Sequence, residues 1–230
     1  MIQIDNLTKT YGKARGVTEL TLHVRPGGCF GFIGPNGAGK STTIRTLLGL
    51  LSPTSGSARV LGLDCVRERQ AILAQVGYMP SEAMFYPNMR VSEVIRLSAA
   101  LRKRDCRDEA AALCQALELD PRKRIRELSL GNRKKVSIVC AMQHRPKLYI
   151  LDEPTSGLDP LVQRAFWAEL EARRQEGATV FLSSHVLYEV QRYCDRAAII
   201  REGRLVVEGT VAELDIENKF FDYYEGRVAQ

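Results

Sequence analysis

The feature that most constrains this chain is a glycine-rich loop at Gly34–Ser41, which reads Gly-Pro-Asn-Gly-Ala-Gly-Lys-Ser. It fits the pattern G-x-x-x-x-G-K-[ST], and it lies between the apolar run Cys29–Ile33 and a helical stretch from Thr42 to Leu50. Backbone N–H groups that turn inward, followed by a helix N-terminus, form a cradle for phosphate. The sequence therefore predicts a nucleotide site on an α/β fold.

Within this loop the side chains have separate expected roles. The Lys40 ammonium would reach the terminal phosphates, and the Ser41 hydroxyl would ligate Mg²⁺. A glycine-rich turn that binds nothing is the alternative, but the flanking strand and helix disfavour it. The residues of this segment predicted to bind nucleotide are Gly34, Asn36, Gly37, Ala38, Gly39, Lys40, Ser41 and Thr42.

A pair of acids follows the second strongly apolar run, Leu148–Leu151. A buried parallel strand has this composition, and its C-terminal end is where α/β sheets bind ligands. Successive residues leaving a strand point in different directions, so the two acids can divide the work. We expect Asp152 to hold the Mg²⁺ shell and Glu153 to act as general base for the attacking water.

Short β-rich runs alternate with helical stretches along most of the chain, which is typical of an α/β fold with a largely parallel sheet. From about Ala83 to Arg145 the strand pattern disappears, which predicts an inserted helical lobe. Helices are expected to begin at Gly39, Val91, Asp108, Asn132, Pro160 and Val186. Strands are expected at Ile2–Leu7, Thr18–Val24, Cys29–Ile33, Ser57–Leu61, Val76–Met79, Leu148–Asp152, Thr179–Ser183, Ala197–Arg201 and Leu205–Glu208.

Composition fits an ordinary globular protein, with 45% hydrophobic and 26% charged residues among 230. No apolar run approaches the roughly 18 residues that span a bilayer, and the N-terminus does not resemble a signal peptide. The six scattered cysteines predict thiols in a reducing compartment. A net charge of +6, with basic groups at 102–104 and 122–124, is better explained by solvated surface than by nucleic acid.

The segment Leu128-Ser129-Leu130-Gly131-Asn132 narrows the choice among nucleotide-binding folds, because it resembles the signature of ABC ATP-binding subunits. Its companions occur in the family's order along nearly the whole chain. Tyr11 resembles the aromatic residue that stacks on adenine, and Pro154–Asp159 resembles the D-loop. Ser183-Ser184-His185 resembles the switch-histidine segment. The chain is therefore identified as similar to the ATP-binding subunits of ABC transporters.

This resemblance implies a P-loop ABC cassette: a RecA-like parallel core, an N-terminal antiparallel β portion and an inserted helical subdomain. It would be one domain, with a core lobe at 1–82 and 146–230 and a helical signature lobe at 83–145. Two cassettes would sandwich two ATP molecules, Ser129 and Gly131 gripping the γ-phosphate bound by the partner. His185 would contact the γ-phosphate within its own chain, and Asp159 would lie at the dimer interface.

The implied partners are a second cassette, identical or paralogous, and an integral membrane subunit at the cytoplasmic face of the membrane. No nucleic acid is expected as a partner. The segment Tyr78-Met79-Pro80-Ser81-Glu82 resembles the branch that serves drug, antibiotic or peptide exporters. A helical tail from Val211 to about Gly226, without the regulatory domain common in sugar-importer subunits, agrees with that branch.

The chain departs from the family pattern at two motifs. Leu130 replaces the first signature glycine and Asn132 replaces the glutamine, while Ser129 is retained. Ser81 stands where a glutamine usually reaches Mg²⁺ and the membrane partner. Serine is too short for that reach without an intervening water, so Glu82 is an alternative ligand.

Three alternative functions remain open at the level of sequence. A non-transport ABC ATPase in a soluble complex would usually carry two cassettes or a long coiled coil, and neither is visible here. A P-loop kinase or GTPase would lack the signature, the D-loop and the switch histidine. A regulatory module that holds ATP without turnover would often lose the base at Glu153.

Overall fold

The computed structural model describes residues 1–12, 14–216, 220, 222 and 223. Ten strands and eight α-helices are assigned in this part of the chain. They run in the order β1 Ile2–Tyr11, β2 Ala14–Val24, β3 Cys29–Ile33, α1 Lys40–Leu47, β4 Ser55–Val60, β5 Leu63–Asp64, α2 Arg69–Gln75, β6 Val76–Met79, α3 Val91–Leu101, α4 Arg107–Ala116, α5 Leu130–Met142, β7 Leu148–Asp152, α6 Pro160–Gln175, β8 Thr179–Ser184, α7 Leu187–Tyr193, β9 Arg196–Arg201, β10 Arg204–Thr210 and α8 Val211–Leu214.

The chain divides into two compact units, a first unit of residues 1–73 with 179–230 and a second unit of residues 74–178. In the first unit, one sheet is antiparallel throughout and has the strand order β2-β1-β4-β5. Strand β1 alternates at its start, with Ile2 and Ile4 buried and Gln3 exposed. That period of two places one apolar face against the core.

The first unit also contains the strands that carry the phosphate loop. Strand β3 is parallel to both β8 and β9, and all five of its residues are buried. A strand covered on both faces has no polar face to present, which explains the continuous apolar run Cys29–Ile33. Strand β9 turns into β10 as an antiparallel hairpin through Glu202 and Gly203, both with positive φ.

The second unit has parallel strands β6 and β7 in the register Val76 opposite Leu148, together with helices α3 to α6. Two of these helices begin at a side-chain cap. The Ser129 hydroxyl accepts the Asn132 N–H at the start of α5, and the Asp159 carboxylate caps α6, which has Pro160 in its first turn. These caps fix where the signature segment and the D-loop segment enter their helices.

The predicted fold class is confirmed: parallel strands, an N-terminal antiparallel sheet and helices are all present. Cys29–Ile33, Val76–Met79 and Leu148–Asp152 have the predicted bounds, and the described residues between 83 and 145 form no strand beyond an isolated bridge. The short β5 and helix α2 were not predicted. The lobe boundaries at 82/83 and 145/146 stay a prediction. The helical tail begins at Val211, but much of the rest of it lies outside the described residues.

The structure also bears on the cysteines and on the lengths of the helices. The six cysteines carry free thiols, and Cys29 and Cys194 approach with 3.3 Å between their sulfur atoms. Over the described ranges, none of the helices is both long enough and apolar enough to cross a bilayer.

Candidate nucleotide-binding site

The loop after β3 has a shape that only glycine permits at several positions. A Cβ on Gly34 would lie 2.4 Å from the Ile200 carbonyl oxygen, so the loop can leave the strand only without a side chain there. Gly37 and Gly39 have φ values of +79° and +108°, in the left-handed region that other residues rarely adopt. These turns leave the mouth of the loop to backbone atoms, as a phosphate cradle requires.

Lys40 lies inside this loop. It is the first residue of α1, its exposure is only 6%, and its ammonium donates to the carbonyl oxygens of Gly34 at 2.6 Å and Pro35 at 3.2 Å. A buried ammonium is stable only where hydrogen-bond acceptors replace the water that it has lost. A phosphate oxygen entering the loop would offer a charged acceptor, and charge-assisted bonds are the stronger kind.

The N-terminus of α1 fits an anion. Its N-cap is Gly39, which has no side chain to satisfy the first N–H groups, and the first turn contains no acidic residue. Those N–H groups and the helix dipole favour negative charge. Ser41 and Thr42 follow and are half-buried, whereas Asn36 and Gly37 are exposed and Ala38 is buried.

Two more predicted residues of the first unit lie at strand ends. Tyr11 is the last residue of β1 and is 42% exposed, with the Lys9 ammonium 5.4 Å from its ring centre. His185 is exposed directly after β8. The turn that presents it is built by Ser184, whose hydroxyl donates to the buried Glu189 carboxylate at 3.1 Å and accepts the Val186 N–H at 2.9 Å.

The second unit contains the acid pair. Asp152 ends β7 with an exposure of 1%, and Glu153 follows it, half-buried, with φ +50°. Left-handed backbone is uncommon for a residue other than glycine and is often found at functional sites. The division of roles predicted for the two carboxyl groups stays a prediction.

The signature segment and the D-loop segment meet within the second unit. Gly131 is the second residue of α5, and a Cβ there would lie 3.1 Å from the Gly157 carbonyl oxygen. Ser129 is exposed, and Leu130, which replaces the family's glycine, is 63% exposed. The polar groups expected to bind phosphate are therefore at the surface, where a second chain could reach them.

The structure gives two predicted residues a local structural role. Asp159 accepts the N–H groups of Leu161 and Val162 at 3.1 and 3.0 Å, which caps α6. Ser81 is half-buried in the bend after β6 and its carbonyl oxygen accepts from Lys134, while Glu82 is exposed. The dimer-interface role of Asp159 and the metal role of Ser81 or Glu82 stay predictions.

Magnesium fits the donor set only with help from a nucleotide. Among the described residues there is no group of three or more His, Cys, Asp or Glu side chains that could hold a metal ion. Mg²⁺ is usually held by one or two carboxylates together with substrate phosphates and water. The buried Asp152 carboxylate of the second unit is a ligand of that kind, and so is the Ser41 hydroxyl of the first unit. That the two bind the same ion stays a prediction.

Lys134 is a residue whose importance sequence reasoning missed. By sequence alone it is one of three consecutive basic residues, with Arg133 and Lys135, that follow the signature segment in a predicted helix. In the structure it is 3% exposed and its ammonium donates to the Glu153 carbonyl oxygen at 2.6 Å. No local signal in the sequence marks its burial, because Arg133, Lys134 and Lys135 are consecutive basic residues and their pattern does not show which of them the fold covers.

Comparison with known proteins agrees with these motifs. The family model described as ABC transporter matches residues 17–156, which include the phosphate loop, the signature segment and the acid pair. This chain belongs to the ABC transporter family. "Bacitracin transport ATP-binding protein BcrA" of Bacillus licheniformis is 36% identical to this ABC chain over 212 residues, covering 90% of it and 69% of that protein.

The Escherichia coli protein named "Probable multidrug ABC transporter ATP-binding protein YbhF" is 34% identical over 223 residues. The match covers 95% of the ABC chain but spans only 38% of that relative's length. A solved "ATP binding subunit of ABC transporter" superposes with a TM-score of 0.88 at 31% identity, covering 96% of this chain and 93% of that one. The predicted resemblance to subunits of the drug and antibiotic branch is confirmed.

Proposed function

We propose that this chain is the ATP-binding and ATP-hydrolysing subunit of an ABC exporter, driving transport by closing and reopening a dimer. The observation that carries the proposal is the glycine loop with the buried Lys40 ammonium inside it, in a chain that has the family's signature and acid pair. The name of another similar protein, "Nod factor export ATP-binding protein I" of Paraburkholderia xenovorans, which is 35% identical over 218 residues, supports export as the direction.

The binding roles follow the chemistry of each group. Backbone N–H groups of Gly37, Gly39 and the first turn of α1 would hold the phosphates, and Lys40 would neutralise their charge. Tyr11 would stack on adenine through the ring face that its exposure leaves available. Ser41 and Asp152 would ligate Mg²⁺, which, when bound, withdraws charge from the phosphate oxygens.

Hydrolysis needs a base and a charge stabiliser. The Glu153 carboxylate would accept a proton from water as the water oxygen bonds to the γ-phosphorus and the bond to the ADP oxygen breaks. His185 would donate to a γ-phosphate oxygen and keep the attacking water in line. The electron pair of the broken bond stays on ADP, so the products are ADP and inorganic phosphate.

A second cassette and a membrane subunit complete the proposal. Ser129 and the Gly131 N–H lie at the exposed start of α5, so they would bind the γ-phosphate held by another chain. Closing the dimer would exclude water and complete the site, and hydrolysis would reopen it. The chain would work at the cytoplasmic face of the membrane, bound to an integral membrane subunit.

The decisive experiment measures the solution mass of Glu153→Gln with and without MgATP, beside phosphate release by the wild type. The variant keeps the size of the side chain but removes the base, so it should dimerise with ATP and release no phosphate. Lys40→Met is the control. Without the ammonium it should neither dimerise with ATP nor release phosphate. A wild type that releases no phosphate, also when mixed with its membrane subunit, would overturn the proposal.

A further inference from the structure

The Lys134 ammonium joins two backbone segments in the second unit. Lys134 lies in α5, a turn after the signature, and it is 3% exposed. Its Nζ donates to the carbonyl oxygen of Glu153 at 2.6 Å and to that of Ser81 at 3.3 Å. One buried ammonium thus holds the proposed base and the bend that takes the place of the glutamine loop.

A buried ammonium is costly, so its presence needs a physical reason. Removing a charge from water is strongly unfavourable unless acceptors replace the lost hydration. Apolar side chains of similar size would fill the same volume without that cost. Lysine at position 134 therefore contributes something that packing alone does not supply, namely donors directed at two carbonyl oxygens.

The Glu153 carbonyl is a sensitive place for such a bond. Glu153 has φ +50°, a strained conformation for a residue with a side chain. A charged hydrogen bond to its carbonyl oxygen holds the peptide plane in this conformation. Rotation about the N–Cα bond of Glu153 moves its carbonyl group and its side chain together, so a bond that holds the carbonyl also restrains the carboxylate.

We propose that Lys134 is a positioning residue for hydrolysis: it fixes the backbone of Glu153, and with it the general base, while tying the Ser81–Glu82 bend to the same point. The inference rests on the proposed function, since it assumes that Glu153 is the base. It also gives the signature helix α5 a direct hydrogen-bonded connection to the acid pair, through a side chain that lies outside the phosphate loop.

The test compares Lys134→Met, which keeps the length of the side chain but removes the donors, with Lys135→Met as the matched control. Lys135 is the next residue of the same helix and is 8% exposed. A misplaced base lowers kcat by about 10- to 100-fold, since ~1 Å of displacement can cost that much. We expect this loss in Lys134→Met, with the Kd for MgATP within about twofold of wild type.

Rescue separates positioning from a general structural role. Lys134→Arg, which still donates to carbonyl oxygens, should recover most of the lost kcat, whereas Lys134→Gln, whose side chain is shorter and uncharged, should fall between. The Gln variant also serves if Lys134→Met does not fold. The inference is overturned if Lys134→Met and Lys134→Gln hydrolyse at the wild-type rate, or if Lys135→Met loses kcat equally.

Failure of this inference can be distinguished from failure of the proposed function. If the wild type hydrolyses ATP and Glu153→Gln does not, the function stands and the Lys134 variants test the inference alone. If the wild type is inactive together with its membrane subunit, the function itself is wrong.

Discussion

Gly131 and Gly157 pack so closely that a Cβ on Gly131 would lie 3.1 Å from the carbonyl oxygen of Gly157. The start of the signature helix therefore touches the segment after the acid pair through two residues without side chains. We predict that Gly131→Ala separates stability from activity. Alanine is the better helix former by up to about 1 kcal/mol, which offsets the strain of moving Gly157 away from the added methyl group, so the melting temperature should change little.

Hydrolysis by Gly131→Ala should nevertheless fall by at least about tenfold, because the methyl group displaces Gly157 and screens the N–H assigned to phosphate. Binding of fluorescent ATP to the monomer is the control and should not change, since Lys40 and its loop are unaffected. Wild-type turnover in this variant would show that position 131 does not bind phosphate.

Substitutions at Ser129 also separate stability from activity, because the Ser129 hydroxyl caps α5 and is also proposed to bind the γ-phosphate held by the partner. Aspartate and asparagine cap helices about as well as serine does. Ser129→Asp should thus keep the melting temperature while its negative charge repels the phosphate and abolishes ATP-dependent dimerisation. Ser129→Asn, the neutral control, should retain part of the ATP-dependent dimerisation. Both are measured by solution mass in the Glu153→Gln background.

The sequence predicted the core of this fold well wherever one physical signal dominated. Cys29–Ile33 and Leu148–Asp152 are covered on both faces, so their composition alone marks them as buried parallel strands. The two-residue strand β5, Leu63–Asp64, has no period to detect, and it exists through its pairing with β4. Because β5 depends on its pairing with β4, the local sequence pattern could not predict it.

The residues of the candidate site also fall into two groups: those that a local sequence pattern identifies, and those whose role depends on tertiary packing. Glycine-loop chemistry is local, so Gly34 and Lys40 could be identified from spacing, and the structure places them together. The Asp159 cap was not predicted, although Asp before Pro at a helix start is a readable signal. The burial of Lys134 depends on how α5 packs, and a sequence does not show which face of a basic helix is covered.

His144 predicts a pH dependence of stability. Burial, with the nearby Arg102 charge as the second cause, lowers the pKa of His144 to about 4 from its usual 6.5. The folded state keeps the ring neutral between these values, whereas the unfolded chain takes up a proton. The free energy of unfolding should therefore fall as the pH is lowered from about 6.5 to 4, by at most about 1.4 kcal/mol per pH unit from this group.

Urea unfolding at pH 7, 6 and 5 measures that slope in wild type and in His144→Gln, which cannot take up the proton. The variant should lose the His144 share of the slope. His23→Gln is the control, because His23 is exposed beside Asp5 at 3.0 Å and belongs to the antiparallel sheet of the first unit. Equal slopes in wild type and His144→Gln would contradict the prediction.

Glu109 is expected to stabilise the second unit by joining helices α4 and α6. Its carboxylate contacts the guanidinium of Arg173, whose side chain is only 7% exposed, and it accepts from Arg145 at 2.7 Å. Removing one member of a buried ion pair leaves the other charge poorly compensated. Because Glu169 and Glu176 lie 3.4 and 3.5 Å from Arg173, the loss is partly compensated.

We therefore predict that Glu109→Gln lowers the free energy of unfolding by about 2 kcal/mol, below the ~3–5 kcal/mol of a buried pair broken outright. Glu171→Gln is the matched control on α6: Glu171 pairs with Arg174 at 2.8 Å but is 48% exposed. Exposed pairs contribute about 0.2–1 kcal/mol, so this change should be small. Equal losses in the two variants would mean that burial of Arg173 adds nothing, and that Glu109 acts as an ordinary surface charge.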